Sequence, residues 1–276
     1  MLLNPKFLLI VAALTTTAGD PAKRETKAAR IVTIIARDYA FEAPDTVAAG
    51  RTQVRLINKG GEMHHAYLIR LNGGKNLNDL MTAFKAGGPP PAWAHDVGGP
   101  NASAVPGPST AVVDLEAGTY ALICVIPSND GTPHVMKGMS RTITVVNSAK
   151  SSPTVKVATP DVTVDLADYN FALSRPLTRG QHVIRVRNTA EQSHEMFIAK
   201  LAPGKKPEEV LAWIESPKGP PPLTPLGGTV GLARGAYNDI SLDLTAGNYA
   251  LFCFIPDAKD GKPHVAHGMI KPFTVR

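Results

Sequence analysis

Only two of the 276 residues are cysteine and only two are tryptophan, and the aromatic residues together make up 6%. Two cysteines permit one disulfide at most, so the chain is not a small scaffold stapled by many bridges. Charge of one sign is also scarce. Lys and Arg number 29 against 23 Asp and Glu, and the formal excess of +6 is spread along the chain. No basic run is dense enough for a nucleic-acid-binding patch, and no nucleic acid is expected as a partner. After the N-terminal residues no apolar run is long enough to cross a bilayer as a helix, so no transmembrane segment is expected. Also missing are a phosphate-cradling glycine loop, a Ser-His-Asp arrangement at a familiar spacing and a paired-carboxylate motif.

What is present suits many short strands. Gly and Pro stand at 24 each and hydrophobic residues at 43%, which is loop-rich but able to form real cores. The length allows two domains of ordinary size. Residues 1–19 read as an export signal: one lysine, a short apolar run over 7–14, and small residues at 15–19. The mature protein is therefore expected in a periplasm or outside the cell.

The chain is an internal duplication. Asp38-Tyr39-Ala40-Phe41 returns as Asp168-Tyr169-Asn170-Phe171. Asp114-Leu115 and the run from Ala117-Gly118 to Cys124 return as Asp243-Leu244 and the run from Ala246-Gly247 to Cys253. Asp130-Gly131 and Pro133-His134-Val135 return as Asp260-Gly261 and Pro263-His264-Val265, and both copies close on Gly-Met, at Met139 and Met269. Alternating apolar and polar residues predict strands over 31–37, 53–58, 66–71, 111–115, 119–125 and 141–146. In the second copy they predict strands over 162–167, 182–188, 195–201, 241–244, 248–255 and 271–275. One helix is expected in each copy, over 76–86 and 207–216, each followed by a Gly-Pro-Pro-Pro connector. The division is a linker over 20–30, a domain over 31–147, a linker over 148–154 and a domain over 155–276. The expected architecture is two antiparallel sandwiches in series.

The duplication also sorts the candidate ligands. Of eight histidines, only His64 with His194 and His134 with His264 fall at equivalent places. Of seven methionines, only Met139 and Met269 do, and Cys124 pairs with Cys253. His65 faces Glu195, His95 faces Pro225, His182 faces Thr52 and His267 faces Lys137, so these four are expected to be surface or structural residues. Two imidazoles, one thiolate and a weak thioether form a donor set that serves copper in both of its oxidation states. A disulfide between Cys124 and Cys253 would require two domain interiors to meet, which the duplication argues against.

The sequence here resembles the cupredoxin family. Asn58 precedes His64 by six residues, as Asn188 precedes His194, and the late segments read C-x9-H-x4-M and C-x10-H-x4-M. The Pro-His-Val-x-x-Gly-Met ending is similar to the type 1 copper loop of copper nitrite reductases. The resemblance implies an all-β protein of two tandem Greek-key cupredoxin-like β-sandwiches, each with one short helical insertion. It also implies up to two mononuclear copper ions, on His64, Cys124, His134 and Met139 and on His194, Cys253, His264 and Met269. The sequence departs from the family in its long Cys-to-His loops, and in having His65 or Glu195 where that family often has Asn. Related enzymes wire their copper centres through a His beside the Cys. Here the neighbours are Ile123 and Val125, and Phe252 and Phe254, so a carrier exchanging electrons with a redox partner protein is expected rather than an enzyme. Copper storage or delivery, and a metal-free interaction module, are the alternatives.

Overall fold

The computed structural model describes residues 25–88, 90–148, 153–216 and 218–276. The export signal expected over 1–19 lies outside the described residues, as do 149–152 of the expected linker. The first copy contributes β1 (Thr26–Arg37), β2 (Ala40–Glu42), β3 (Thr46–Ala48), β4 (Gly50–Asn58), β5 (Tyr67–Leu71), α1 (Leu77–Ala86), β6 (Ala94–Gly98), β7 (Ser109–Leu115), β8 (Gly118–Ile123) and β9 (Ser140–Val146). The second contributes β10 (Thr154–Ala158), β11 (Val162–Ala167), β12 (Asn170–Leu173), β13 (Gly180–Asn188), β14 (His194–Leu201), α2 (Pro207–Glu215), β15 (Leu223–Leu232), β16 (Tyr237–Leu244), β17 (Gly247–Phe252) and β18 (Ile270–Val275). The protein is all-β, with the two expected helices as its α-helical elements among the described residues.

Strand alternation puts one face of each sheet against the other. Ile34, Val54, Leu56, Leu122 and Ile143 of the first copy share one buried cluster with Val164, Ile184, Ile198 and Leu251 of the second. The helices cover the outer face of the second sheet. Leu80 of α1 packs with Tyr67, Ile69 and Ile123, and Val210 of α2 packs with Ala199, Leu201 and Phe252. Each helix starts where its local chemistry directs. The Asn76 side chain accepts from the N–H groups of Asn78 and Asp79 while Asp79 accepts from that of Asn76, and Pro207 occupies the first turn of α2.

Three expectations need correction. The sandwiches are not wholly antiparallel, because β1 pairs with β4, β11 with β13 and β3 with β9 in parallel. In the first copy the chain visits the opposite sheet at β3 before returning beside β1, so it arrives in the same direction. The stretch 20–30 is not simply a linker, since β1 begins at Thr26, and Thr26 to Arg30 pair with β10. β10, expected within the second domain, thus extends a first-copy strand.

Nor do the sandwiches merely follow in series. β7 pairs with β16 and β6 with β15, so each sheet runs unbroken through both copies with nine strands. In the first junction Ala111 faces Ile240. These are equivalent positions, since Asp114-Leu115 matches Asp243-Leu244, so the copies meet about a local two-fold axis. The strands at the second junction, β6 and β15, follow the two Gly-Pro-Pro-Pro stretches and are not among the strands expected from the sequence.

Candidate metal centre

In each copy three segments deliver the candidate ligands to one end of the sandwich. His64 lies just before β5, Cys124 just after β8, and His134 opens a 3-10 turn (His134–Lys137) that leads through Met139 into β9. Backbone bonds fix this loop: Val135 N–H donates to Cys124 O (2.7 Å), Met139 N–H to His134 O (3.0 Å) and Cys124 N–H to Met139 O (3.2 Å). The second copy repeats them with Val265 to Cys253 (2.8 Å), Met269 to His264 (3.0 Å) and Cys253 to Met269 (3.3 Å). Its one extra residue is absorbed in the turn tip, where Asp257 N–H bonds Lys262 O as Ser128 N–H bonds Thr132 O. The ligand spacing is thereby preserved.

The donors converge. His64 Nδ1 and His134 Nδ1 are 3.0 Å apart, and Cys124 Sγ is 4.0 Å and 3.4 Å from them. In the second copy Cys253 Sγ is 3.8 Å from His194 Nδ1 and 3.3 Å from His264 Nδ1. A metal bonded to nitrogen and sulfur at roughly 2.0–2.3 Å spreads three donors about 3.5 Å apart, so both sets fit such an ion. Met139 and Met269 are fully buried beside the cysteines. Both cysteines are free, which excludes the disulfide.

The outer faces of the imidazoles fix which nitrogen is the donor. His64 Nε2 meets Asp38 Oδ1 at 2.9 Å, and His134 Nε2 meets Glu62 Oε2 at 2.6 Å. An ionised carboxylate only accepts, so each Nε2 carries the proton and each Nδ1 turns a bare lone pair inward. Two lone pairs 3.0 Å apart in a buried site repel unless a cation lies between them. Burial lowers the pKa of His64 and of His194, and burial with the neighbouring His194 takes His264 down to about 4, so these rings are neutral at neutral pH. Burial pushes the Cys124 thiol up to about 11 and the Cys253 thiol higher still. Without metal both are therefore protonated.

The copies differ outside this inner ring. His194 Nε2 bonds Asp168 at 3.0 Å, matching His64 with Asp38. Gln192 stands where Glu62 does, and His264 Nε2 is left without a hydrogen bond, 3.6 Å from Asp257 Oδ2. Asp257 is held instead by Tyr169 Oη (2.6 Å) and Gln192 Nε2 (3.1 Å).

Sequence reasoning used the Asp-Tyr dipeptide only as a marker of the repeat. The structure gives both residues tasks. Asp38 and Asp168 orient the first histidines, while Tyr39 and Tyr169 stand edge-on to His134 and His264 at 5.4 and 5.7 Å. Both tyrosines hold a left-handed backbone, with φ of 67° and 60°, a conformation that side chains with a Cβ avoid. Gly60 is needed there too, because a Cβ would lie 2.3 Å from Asp38 Oδ1.

Of the remaining histidines, His95 and His267 are exposed, and His182 is buried in a structural bond to Asp161 (2.8 Å). His267 bonds Asp260 (3.2 Å) and packs on the Tyr169 ring. His65, expected at the surface or in a structural role, is buried against the first centre: its Nε2 accepts from Val125 N–H at 2.9 Å.

No family model matches the chain, and no curated protein matches it in sequence. Among solved structures it is similar to auracyanin from Roseiflexus castenholzii, with 21% identity over 44% of this chain and 99% of that one, at a TM-score of 0.28. A copper-containing nitrite reductase from Thermus scotoductus shares 11% identity over 89% of this chain and 61% of that one, at 0.25. A blue copper oxidase from Nitrosomonas europaea shares 16% over 89% and 85%, at 0.23. Likeness at this level decides nothing about chemistry. The fold, by its own topology, is a pair of cupredoxin-like β-sandwiches, and its two His-Cys-His groups, each with a buried Met, could hold up to two copper ions.

Proposed function

We propose that the chain is an exported electron carrier with two mononuclear copper centres, one held by His64, Cys124, His134 and Met139 and the other by His194, Cys253, His264 and Met269. One observation carries the reading: twice, two inward-facing Nδ1 atoms and a cysteine sulfur lie within 4.8 Å of one another in a buried site. Two imidazoles, a thiolate and a thioether make a donor set that accepts either oxidation state of copper, and the bound ion would supply a one-electron change. The chain's part is to keep the cage fixed while that change occurs. Asp38, Glu62 and Asp168 hold imidazole rings in place, the 3-10 turns lock the late ligands to the cysteine backbone, and burial keeps bulk water from the sulfur.

A carrier is favoured over an enzyme because such a ligand set leaves no coordination position open for a substrate. Ile123 and Val125, and Phe252 and Phe254, also flank the cysteines with side chains that cannot ligate a second copper. A redox protein is the expected partner, and a periplasm or the cell exterior the expected location. Among the described residues no helix is long and apolar enough to cross a membrane.

The test is to add Cu(II) to the protein and look for the strong visible thiolate-to-copper band, then repeat with Cys124→Ser and Cys253→Ser. Loss of about half the band in each variant supports two centres, since each thiolate serves one ion. A parent protein with no band refutes the assignment. Copper taken up without reversible one-electron reduction would favour storage or delivery.

A further inference from the structure

The first copy reaches across the junction to both sequence neighbours of a candidate ligand in the second. Ser193 and Glu195 flank His194. The Ser193 hydroxyl donates to Asp96 Oδ2 at 2.5 Å, and Asn101 Nδ2 donates to Glu195 Oε2 at 3.0 Å. Asp96 lies in β6, and Asn101 follows that strand closely. Glu195 carries the grip on to Cys253. Its Oε1 accepts from the Phe254 N–H at 2.8 Å, beside the cysteine, and its own N–H points at Cys253 Sγ from 3.3 Å. One carboxylate thus ties the His194 segment, the end of the cysteine strand and the first copy together.

The two first-copy residues are themselves fixed. Asp96 O accepts from the Ala233 N–H at 2.8 Å, and the Asn101 N–H donates to Gly228 O of β15 at 3.2 Å. Asn101 Oδ1 accepts from the Ala102 N–H at 2.8 Å. Asp96, Asn101 and Glu195 are 6%, 3% and 7% exposed. Polar groups so enclosed are costly unless bonded, and apolar side chains would close a junction at less cost. Simple closure of the junction does not require them to converge on the residues beside His194 and Cys253.

The first centre is held from within its own copy. Asp38 bonds His64, Glu62 bonds His134, and the Val125 N–H bonds His65. Met63, which matches Ser193, is 43% exposed. The shared Gly-Gly at 98–99 and 227–228 places Val230 at the position of Asn101. Strand register, one residue off the repeat's offset, places Pro225 at that of Asp96, since Ile69 pairs with Asp96 and Ala199 with Pro225. Neither Val230 nor Pro225 has a polar side chain to return the grip.

We infer that the first copy completes the second copper centre, with Asp96 and Asn101 as positioning residues for His194 and Cys253. The inference rests on the copper reading above. An N–H bonded to a ligand sulfur draws charge from the thiolate and favours the reduced ion. The Glu195 N–H therefore raises the potential of the second centre, and Asp96 and Asn101 hold the segment that aims it. Loosening that hold lowers the potential of the second centre alone. In the metal-free protein the same loosening uncovers the Cys253 thiol.

The experiment uses the full chain and three variants. Asn101→Leu removes the amide at similar volume, Ser193→Ala removes only the hydroxyl that Asp96 holds, and Ser193→Thr keeps a hydroxyl there. Without metal, labelling by a thiol reagent is timed for each cysteine, with the other replaced by serine. Cys253 should react several-fold faster in Asn101→Leu and in Ser193→Ala, and near the wild-type rate in Ser193→Thr. Cys124 should keep its rate throughout. With copper at both centres, spectroelectrochemical titration should show the potential of the second centre falling in the same two variants, and that of the first unmoved. Equal changes at both centres, or none at either, would overturn the inference while leaving the copper reading intact. A wild-type chain that forms no thiolate band would defeat the copper reading, and the labelling rates would then decide alone whether the first copy holds this segment. Should Asn101→Leu fail to fold, Ser193→Ala against Ser193→Thr still decides.

Discussion

Replacing Glu62 by Gln tests whether the unequal surroundings of the two centres tune them separately. Glu62 Oε2 lies 2.6 Å from His134 Nε2, and its side chain is 22% exposed. One negative charge about 6 Å from the donor cluster, at an effective dielectric constant near 20, stabilises an added positive charge by about 2.8 kcal/mol. Water at the partly exposed carboxylate screens this to roughly 1–2 kcal/mol, or about 45–90 mV for one electron. The charge favours the oxidised centre, so Glu62→Gln should raise the potential of the first centre by that amount. Gln already stands at position 192, so the second centre is an internal control. Spectroelectrochemical titration of both bands reads the two potentials in one sample. A fall in potential, or an equal shift of both centres, would refute the reasoning.

Three further outcomes follow from the same geometry. Burial holds the Cys124 thiol near 11, so copper must displace its proton. Apparent copper affinity should therefore climb by about tenfold per pH unit between pH 6 and 8, which chelator competition would reveal as a rising or a flat line. Burial raises Glu195 from 4.5 to about 7 in the folded state. Between those values the native protein binds more protons than the unfolded chain, so copper-free stability should drop by about 3 kcal/mol as pH rises through that window. Urea melts of Glu195→Gln should lack this part of the slope, and an identical slope in the variant would disprove it. Asp239 has a fully buried side chain bonded by Arg51 (2.8 Å) and Arg185 (2.8 Å). Asp239→Ala should cost about 3 kcal/mol by leaving two cations unpaired, while both copper bands persist; a loss below about 1 kcal/mol would count against it.

The candidate inner ligands were legible because the duplication acts as a second copy to compare against. His64 and His134 stand out from His65, His95, His182 and His267 only because His194 and His264 answer them. Strands built from alternating residues, such as β4 and β13, were legible for the usual reason of pattern. β15 was not, since Pro225, Gly227, Gly228 and Gly231 break the apolar and polar alternation that marks a strand. That strand tolerates them because close backbone approach, not side-chain alternation, is its requirement. A Cβ on Gly228 would sit 1.9 Å from Met196 O, and one on Gly231 would sit 2.0 Å from Tyr67 Oη. Asn101 lacked any signal, because its place comes from a bond to Glu195, 94 positions away. Asp38 and Tyr39 did carry one, a repeated dipeptide whose first residue hydrogen-bonds an imidazole.

The junction strands set a condition on either copy taken alone. Cut within residues 149–152, the first copy would bare the flanks of β6 and β7, and with them rows of amide and carbonyl groups that now bond β15 and β16. Matching residues already face each other there, as Ala111 does Ile240, so the natural cover for one exposed copy is a twin rotated by half a turn. The intact chain behaves as a dimer whose subunits have been tied in sequence. That tie is what lets the halves diverge: a self-pairing copy would place the same side chain at both matching positions, whereas here His65 stands in one half and Glu195 in the other.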